Sequence, residues 1–552
     1  MSVQCKLITV NIRCLYSYNL DNPLKFYNSY FELGAQFYQR VSPDTVPDPK
    51  LLLWNKALAD DLSITETLQA DHKLLAKYGS GNELPKGVNS IALAYSGHQF
   101  GHFNPNLGDG RAHLLGEMLD KKGIRRDIQL KGSGQTVFSR RGDGKCALAP
   151  ALREYMMSEA LYALGVPTSR CLAVVGTGEL INRGLAKPGA VVTRVAASHI
   201  RVGSFQYFAA RGDIDSLTAL LDYTIERHFP EIDDPSLNNA DADSTKVSNQ
   251  KPSQEQRILQ FLEKAIDKQI TLITQWLRIG FIHGVMNTDN TAISGETIDF
   301  GPCAMMGIYD NKASFSSIDE YGRYAFGNQG KIGQWNMARL ADCLLVLLND
   351  TAEKDADNNI EDEVNQEKTL ESIEAIIQQY TSKFDQAYYA MYAKKLGISD
   401  IGENHMTLIN DLLAMMQAQK LDYTQTFYAL TQSLSNSAQE KALISEFGQW
   451  YQTWMETLTQ LNISKVEAES LMSKNNPLVI PRNHHIEELL DRCELVVTDN
   501  MNSNTSDNPK VSDIVNDFLQ VICSPYKELT NTKYYQDAPQ DKDQYYQTFC
   551  GT

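Results

Sequence analysis

Asp289, Asn290 and Asp299 form the combination with the greatest chemical capacity in this sequence. They stand in His283-Gly-Val-Met-Asn-Thr-Asp-Asn290 and in Asp299-Phe-Gly301, with Ser294-Gly295 between them. Ser-Gly is a two-residue hairpin signal, and folding about it predicts Asn290 opposite Asp299, with Asp289 just outside the pair. An amide oxygen facing a carboxylate offers hard oxygen ligands to Mg2+ or Mn2+, which leaves Asp289 free to accept a proton. The alternative is a polar hairpin capped by Asx turns, and Asp-Phe-Gly at this place weighs against it.

Such a centre suits phosphate chemistry, and phosphates need cations. In Leu107-Gly-Asp-Gly-Arg111 the two glycines, Gly108 and Gly110, allow close backbone approach to a phosphate. Asp120-Lys-Lys-Gly123 reads as a turn, and pairing about it puts Lys131 opposite Ala112, beside Gly110 and Arg111. The stretch Lys131–Lys145 interleaves four glycines, Gly144 among them, with four cations, and Asp143 sits inside it. That pattern suits a loop wrapped on an anion. Glu154 follows on a helix, where a Lys131–Glu154 ion pair would fix the lysine on nucleotide phosphates. Arg194 and Arg201 end or follow a β-like run, and their guanidinium forks suit phosphate oxygens. Each feature also has a plainer reading: a solvated hairpin, an exposed helix glutamate, arginines paired to structural carboxylates. His98-x-x-x-His102 has no third ligand at metal spacing, so structural hydrogen bonding is favoured over zinc. No Gly-x-Ser-x-Gly elbow or His-Glu-x-x-His helix is present.

These residues must be positioned by a chain of 552 residues, in which 51 Lys and Arg against 68 Asp and Glu give a net charge of −17. With 42% hydrophobic and 22% charged residues the composition is that of a soluble globular protein. The length allows two to four domains, or one large two-lobed one. The acidic balance argues against a nucleic-acid or anionic-membrane partner. The most apolar run, Leu340 to Leu348, contains Asp342 and falls far short of the roughly 20 residues a bilayer needs. Nine scattered cysteines without pattern read as reduced thiols of an intracellular protein. The N-terminus carries neither a signal-peptide block nor enough cations for an organelle presequence.

From Ile91 to Phe208 short β-like runs dominate: Ala112–Glu117, Asp127–Lys131, Cys171–Val175 and Ala190–Val195. One helix interrupts them, about Leu148 to Leu164, ended by Gly165 and Pro167. After Ser253, whose spacing to Gln256 is a capping box, the pattern is helical. Further helices are expected at about Trp335–Asn349, Leu370–Leu396, Met406–Gln419 and Gln439–Asn462. Polar joints fall at Asp233–Gln256, at Asp350–Lys368, read as an acidic surface loop, and at Asp499–Asp513. The predicted class is α+β, a bilobal arrangement with a β-rich first lobe, a mainly helical second lobe, insertions and a cleft between the lobes. The expected divisions are an extension 1–21, a packing segment 22–90, a nucleotide-binding lobe 91–215, a helical lobe 216–498, and a polar linker and tail 499–552.

Lys131, Glu154, an Asp-Asn pair and Asp-Phe-Gly occur in the order a protein kinase uses, but the His-Arg-Asp loop is missing. Tyr95-Ser-Gly-His-Gln-Phe-Gly101, Leu107–Arg111, Gly132-Ser-Gly-Gln-Thr-Val-Phe-Ser-Arg140, His283–Asn290 and Asp299-Phe-Gly-Pro302 together resemble the selenoprotein O family, over about residues 22 to 495. The resemblance implies a kinase-like fold that binds ATP in a flipped pose and transfers AMP to Ser, Thr or Tyr hydroxyls of proteins, itself included, with Mg2+ or Mn2+. It implies that Gly108, Gly110, Arg111, Lys131, Asp143, Gly144, Arg194 and Arg201 hold the nucleotide together with Asp299. Asp289 would be the proton acceptor, and Asn290 and Asp299 the metal ligands. Many members carry a cysteine third from the C-terminus, as Cys550 stands here; a Cys550–Cys303 disulfide is one expectation and two unrelated thiols the other. The rival activities are γ-phosphoryl transfer and ATP binding without catalysis. A monomer is expected, cytoplasmic if bacterial and mitochondrial if eukaryotic.

Overall fold

The computed structural model describes residues 24–234, 237, 252–355, 361–400, 402–502, 509–539 and 546–549. The runs read as β-like belong to one eight-stranded antiparallel sheet. Its order is Tyr38–Arg40, Ile91–Leu93, Ala112–Leu119, Arg125–Lys131, Ala186–Ala196, Arg170–Asn182 and Lys50–Trp54, with Cys146–Ala147 paired off the path to Ala186–Ala196. Arg170–Asn182 and Ala186–Ala196 carry the apolar runs Cys171–Val175 and Ala190–Val192 because both faces of the sheet are covered there. Val174 and Val192 face the Leu148–Ala163 helix through Leu152 and Met156, whereas Leu172, Val191 and Val195 join Leu58 and Leu75 on the other side. The two edge strands Tyr38–Arg40 and Lys50–Trp54 come from before residue 90, so the division expected there is not a boundary of this sheet.

The helical part is organised around Gln254–Ile279. Its capping box is formed, Ser253 Oγ accepting the Gln256 N–H and Gln256 Oε1 accepting the Ser253 N–H, and it ends at Gly280 in the left-handed region (φ +76°). Its first half packs Ile258, Phe261 and Leu262 with Leu340 and Leu344. Its second half packs Ile273 and Leu277 into the cluster that holds the Leu148–Ala163 helix. The same helix therefore reaches from the helical core to the sheet's main cover. Phe281–Ile282 follows directly and pairs antiparallel with Ala304–Met305, which closes the 283–303 segment at its base.

Three expectations are corrected. The helix expected at Gln439–Asn462 is two, Ser437–Phe447 and Gln449–Gln460, broken where Gly448 turns to φ +51°. The acidic stretch read as a loop is largely helical, since helices run over Gln329–Asp355 and Glu361–Lys395. The 499–552 segment is not all linker and tail. Val511–Ile522 is a helix that buries Val511, Val515, Phe518 and Ile522, an i, i+4, i+7, i+11 stripe, in the main core. Among the described residues no helix is long and apolar enough to cross a membrane.

Candidate functional site

The Asp120–Gly123 turn forms as its residue types require: Asp120 O accepts the Gly123 N–H at 2.8 Å, and Asp120 Oδ1 accepts the N–H groups of Lys122 and Ile124. The strands leave the turn with Leu119 opposite Arg125, and a bulge between Leu114 and Gly116 shifts the register by one, which puts Lys131 opposite Ala112. On its other side Lys131 pairs with Val192, so the lysine sits on a central strand and points into the interior. There Lys131 Nζ donates to Glu154 Oε2 at 2.6 Å and to Asp299 Oδ1 at 3.1 Å. Arg194 Nε donates to Glu154 Oε1 at 2.7 Å, so one buried carboxylate holds two cations. Burial alone would raise the Glu154 pKa, but Arg194 and Lys131 outweigh it and hold the group at about 2. Asp299 is likewise pushed up by burial and pulled well below the carboxylate range by Lys131, Arg111 and Arg194. The plainer reading of Glu154 as an exposed helix residue is thereby excluded.

Around this ion cluster lie donors that the protein leaves unused. Among the described residues Arg194 Nη2 and Arg201 Nε are buried without a hydrogen-bond partner. Arg201 is buried beside Asp109, 3.5 Å from Nη1 to Oδ1, and its guanidinium lies 4.3 Å over the Tyr95 ring. Buried guanidinium N–H groups without acceptors suit an anion. The glycine loops frame the same edge. Thr136 and Ser139 hydroxyls donate to Asp109 O and Gly110 O, and a Cβ at Gly108 (φ +93°) would lie 2.3 Å from Phe138. Asp143 is engaged differently: Arg183 grips its carboxylate with two bonds of 2.7 and 2.9 Å, which ties it to the neighbouring strand's end. Gly144 (φ +71°) packs directly on Gly134.

The second half of the site departs from the expected hairpin. The two arms on either side of Ser294-Gly295 do not pair with each other. Ala292 bridges antiparallel to Arg201, and Thr297 bridges parallel to Thr168. The Ile293 N–H donates to Ile200 O, and the N–H groups of Ser169 and Thr297 go to Thr297 O and Pro167 O. With their backbone groups satisfied by distant segments, the arms have no ladder to form, and Asn290 and Asp299 are not cross-strand partners. What holds the segment instead is His283, whose Nε2 lies 2.9 Å from Ile298 O while Nδ1 accepts the Val285 N–H. Burial lowers the His283 pKa, consistent with a neutral ring in that tautomer.

Asp289 and Asn290 occupy a short 3-10 turn, Thr288–Asn290, and Asp299 is a non-glycine residue at φ +63°. Asn290 Nδ2 donates to Val285 O at 3.2 Å, which commits the amide nitrogen and leaves the oxygen for a cation. Asp299 accepts from Lys131 through one oxygen and retains 28% side-chain exposure. Two hard oxygens with this freedom fit Mg2+ or Mn2+. Among the described residues no three His, Cys, Asp or Glu side chains form a self-sufficient cage, so such an ion would share its remaining ligands with phosphate and water. Asp289 is buried, and burial lifts its pKa to about 6 against the lowering effect of its Gln99 hydrogen bond. A carboxylate poised there is suited to taking a proton.

Sequence reasoning passed over Gln99, Asn287 and Asp109. Gln99 Nε2 donates to Asp289 Oδ2 at 3.0 Å, and Asn287 Oδ1 accepts from Phe100 N–H and from Tyr324 OH. The motif Tyr95–Gly101 was the available signal, but its partners lie almost two hundred residues away. His98 is held by Gln206 at 2.7 Å and packs edge-on to Trp335, a structural role. Cys303 is fully buried, with its thiol donating to Phe300 O and pushed up to about 12 by burial; Cys550 lies outside the described residues. The tail nonetheless reaches this corner. Thr548 Oγ1 donates to Pro302 O at 2.7 Å, its N–H to Phe315 O, and Ser317 N–H returns a bond to Thr548 O. Two residues earlier Tyr546 OH bonds Glu487 and accepts from Arg153, the neighbour of Glu154.

A family profile described as "Protein adenylyltransferase SelO" matches residues 22–516. A protein of Teredinibacter turnerae named "Protein nucleotidyltransferase YdiU" is 45% identical over 525 residues, covering 95% of this chain and 99% of that one. Proteins of the same name from Bacillus cereus and Geobacillus kaustophilus are 44% and 43% identical, over 97% of this chain and 98% and 100% of theirs.

Proposed function

The chain belongs to the protein adenylyltransferase SelO family, and from that membership we propose how its residues move AMP from ATP to a protein hydroxyl. The observation that carries the reading is the buried cluster in which Lys131 joins Glu154 to Asp299, with Arg194 on the same carboxylate. Lys131, Arg194 and Arg201 hold the outer phosphates, and the loops at Gly108–Arg111 and Asp143–Gly144 enclose the nucleotide. The sheet-bearing and helical parts serve as the two lobes of a kinase-like fold. Asn290 and Asp299 would hold Mg2+ or Mn2+, which when bound supplies charge neutralisation at the phosphates. Asp289 takes the proton of a Ser, Thr or Tyr hydroxyl as its oxygen attacks the α-phosphorus. The bond from that phosphorus to the α–β bridging oxygen breaks, and pyrophosphate leaves with the electron pair. The buried cations Arg194 and Arg201 stabilise its charge. The free thiols of Cys146, Cys171, Cys303 and Cys343, all buried, suit a reducing compartment such as the cytoplasm.

The test is the fate of label. Protein incubated with α-labelled ATP and Mg2+ should become labelled, with γ-labelled ATP giving none, and the added mass should be that of one AMP. Transfer of γ-label without α-label would replace this reading with a kinase. A second expectation follows from Gly97. A Cβ there would sit 2.7 Å from Asp289 Oδ1 and 2.9 Å from its Cβ, so Gly97→Ala must displace the aspartate. Turnover should fall by about tenfold or more, since misplacement near 1 Å costs on the order of 10²-fold, while ATP affinity measured by calorimetry stays within a factor of about two. Unchanged turnover would mean that Asp289 is not where the chemistry needs it.

A further inference from the structure

We propose that Gln99 is the positioning residue for Asp289, presented by a small hairpin that grips the catalytic turn at three consecutive residues. The inference rests on the reading of Asp289 as proton acceptor. Strands Gly97–Gln99 and His102–Asn104 pair antiparallel, Gln99 opposite His102. The two residues between them, Phe100 (φ +51°) and Gly101 (φ +87°), are both left-handed, which gives a tight two-residue turn and a fixed register. From this hairpin His98 N–H donates to Thr288 Oγ1 at 2.6 Å, Gln99 Nε2 to Asp289 Oδ2 at 3.0 Å, and Phe100 N–H to Asn287 Oδ1 at 3.0 Å. Gln206 of the Val202–Ala209 helix closes the arrangement, accepting from Thr288 Oγ1 at 2.6 Å and lying 2.7 Å from His98 Nδ1.

Beyond the aspartate's own backbone N–H, the side chains next to Asp289 in the turn are not free to orient its carboxylate. Asn290 Nδ2 is committed to Val285 O and the Thr288 hydroxyl to Gln206. Among the described residues Gln99 supplies the one side-chain donor to the Asp289 carboxylate. Gly97 walls the other side, closely enough that no side chain fits between. A carboxylate has about four acceptor sites, so one amide donor fixes its torsion and leaves lone pairs for the incoming hydroxyl proton. The same contact would read as a block if the amide occupied the proton's place, and the two roles predict opposite changes in rate.

The experiment compares Gln99→Met, which keeps length and removes the donor, with Gln99→Asn, which keeps the amide on a shorter stem. Steady-state AMP transfer, ATP affinity and melting temperature are measured for both, with Asp289→Asn alongside. Gln99→Met should lower kcat by about 10- to 100-fold, with KM for ATP within a factor of about two and the melting temperature unchanged. Gln99→Asn should lie between it and the wild type. Wild-type kcat in Gln99→Met, a loss confined to KM, or Gln99→Asn falling below Gln99→Met would overturn the role, and a rise in kcat would show that the amide blocks the base. If Asp289→Asn keeps the wild-type rate, the proton-acceptor reading itself fails. If Asp289→Asn is inactive while Gln99→Met is not, only the positioning role fails.

Discussion

Asp289→Asn should transfer AMP about 10²- to 10⁴-fold more slowly than the wild type while binding ATP with unchanged affinity. The substitution preserves volume and removes one thing, a group able to accept a proton. Among the described residues Asp289 forms no ion pair, and the cation that acts on it is Arg201 through electrostatic attraction, so nucleotide binding has little to lose. Its pKa, lifted to about 6 by burial, also sets the pH response. Below that value the carboxylate is protonated and cannot act as a base, so kcat falls on the acid side. A cation bound beside Asn290 and Asp299 lowers the pKa, and the acid limb should therefore lie at or below about pH 6. A rate loss under tenfold, or an acid limb that survives in Asp289→Asn, would remove the assignment.

Glu154→Ala should cost both stability and activity. Its side chain is 3% exposed and holds Lys131 at 2.6 Å and Arg194 at 2.7 Å. Deleting it leaves Arg194 buried without its carboxylate and Lys131 with Asp299 alone, and removing one partner of a buried ion pair costs about 3–5 kcal/mol. That is a large share of the roughly 5–15 kcal/mol by which domains are stable. The sign with pH follows from the depressed pKa. In the folded protein Glu154 titrates at about 2, against an ordinary value of 4.5. Its contribution is fully present above pH 4.5 and is lost as pH falls toward 2, so the gap between wild type and Glu154→Ala should narrow in acid. Denaturant unfolding at pH 7 and pH 3 measures this. A difference under about 1 kcal/mol at pH 7 would mean that water reaches the cations in the variant.

The parts of this site that local signals control were legible in the sequence. The Asp120–Gly123 turn was readable and brings the two strands together, but Lys131 comes to lie opposite Ala112 only through a bulge between Leu114 and Gly116 that the turn does not announce. Glu154 lies on a helix whose period and Gly165 stop are both readable. The belonging of Asp289, Asn290 and Asp299 to one segment was equally plain, but its internal geometry was not. Ser294-Gly295 does make a turn, yet the arms around it pair with Ile200–Arg201 and Pro167–Ser169, which no local signal announces. Gln99 was invisible for the same reason, since its partner lies 190 residues on. The helix at Val511–Ile522 carried a readable apolar stripe, obscured by the polar composition on both sides of it.

Thr548 bonds Pro302, 246 residues before it in the chain. During synthesis at about 5–20 residues per second, the Asp299–Pro302 segment emerges some 12–50 s before the residue that closes over it. A nascent chain can therefore fold its sheet, its Lys131–Glu154 pair and its central helix while this corner still stands open. The emergence of residues 546–548 seals it, and with it the link from Tyr546 through Arg153 to the helix of Glu154. A chain stalled or clipped short of Tyr546 would keep its core and lack that seal, so it would differ from the finished chain at the corner beside Asp299-Phe-Gly301.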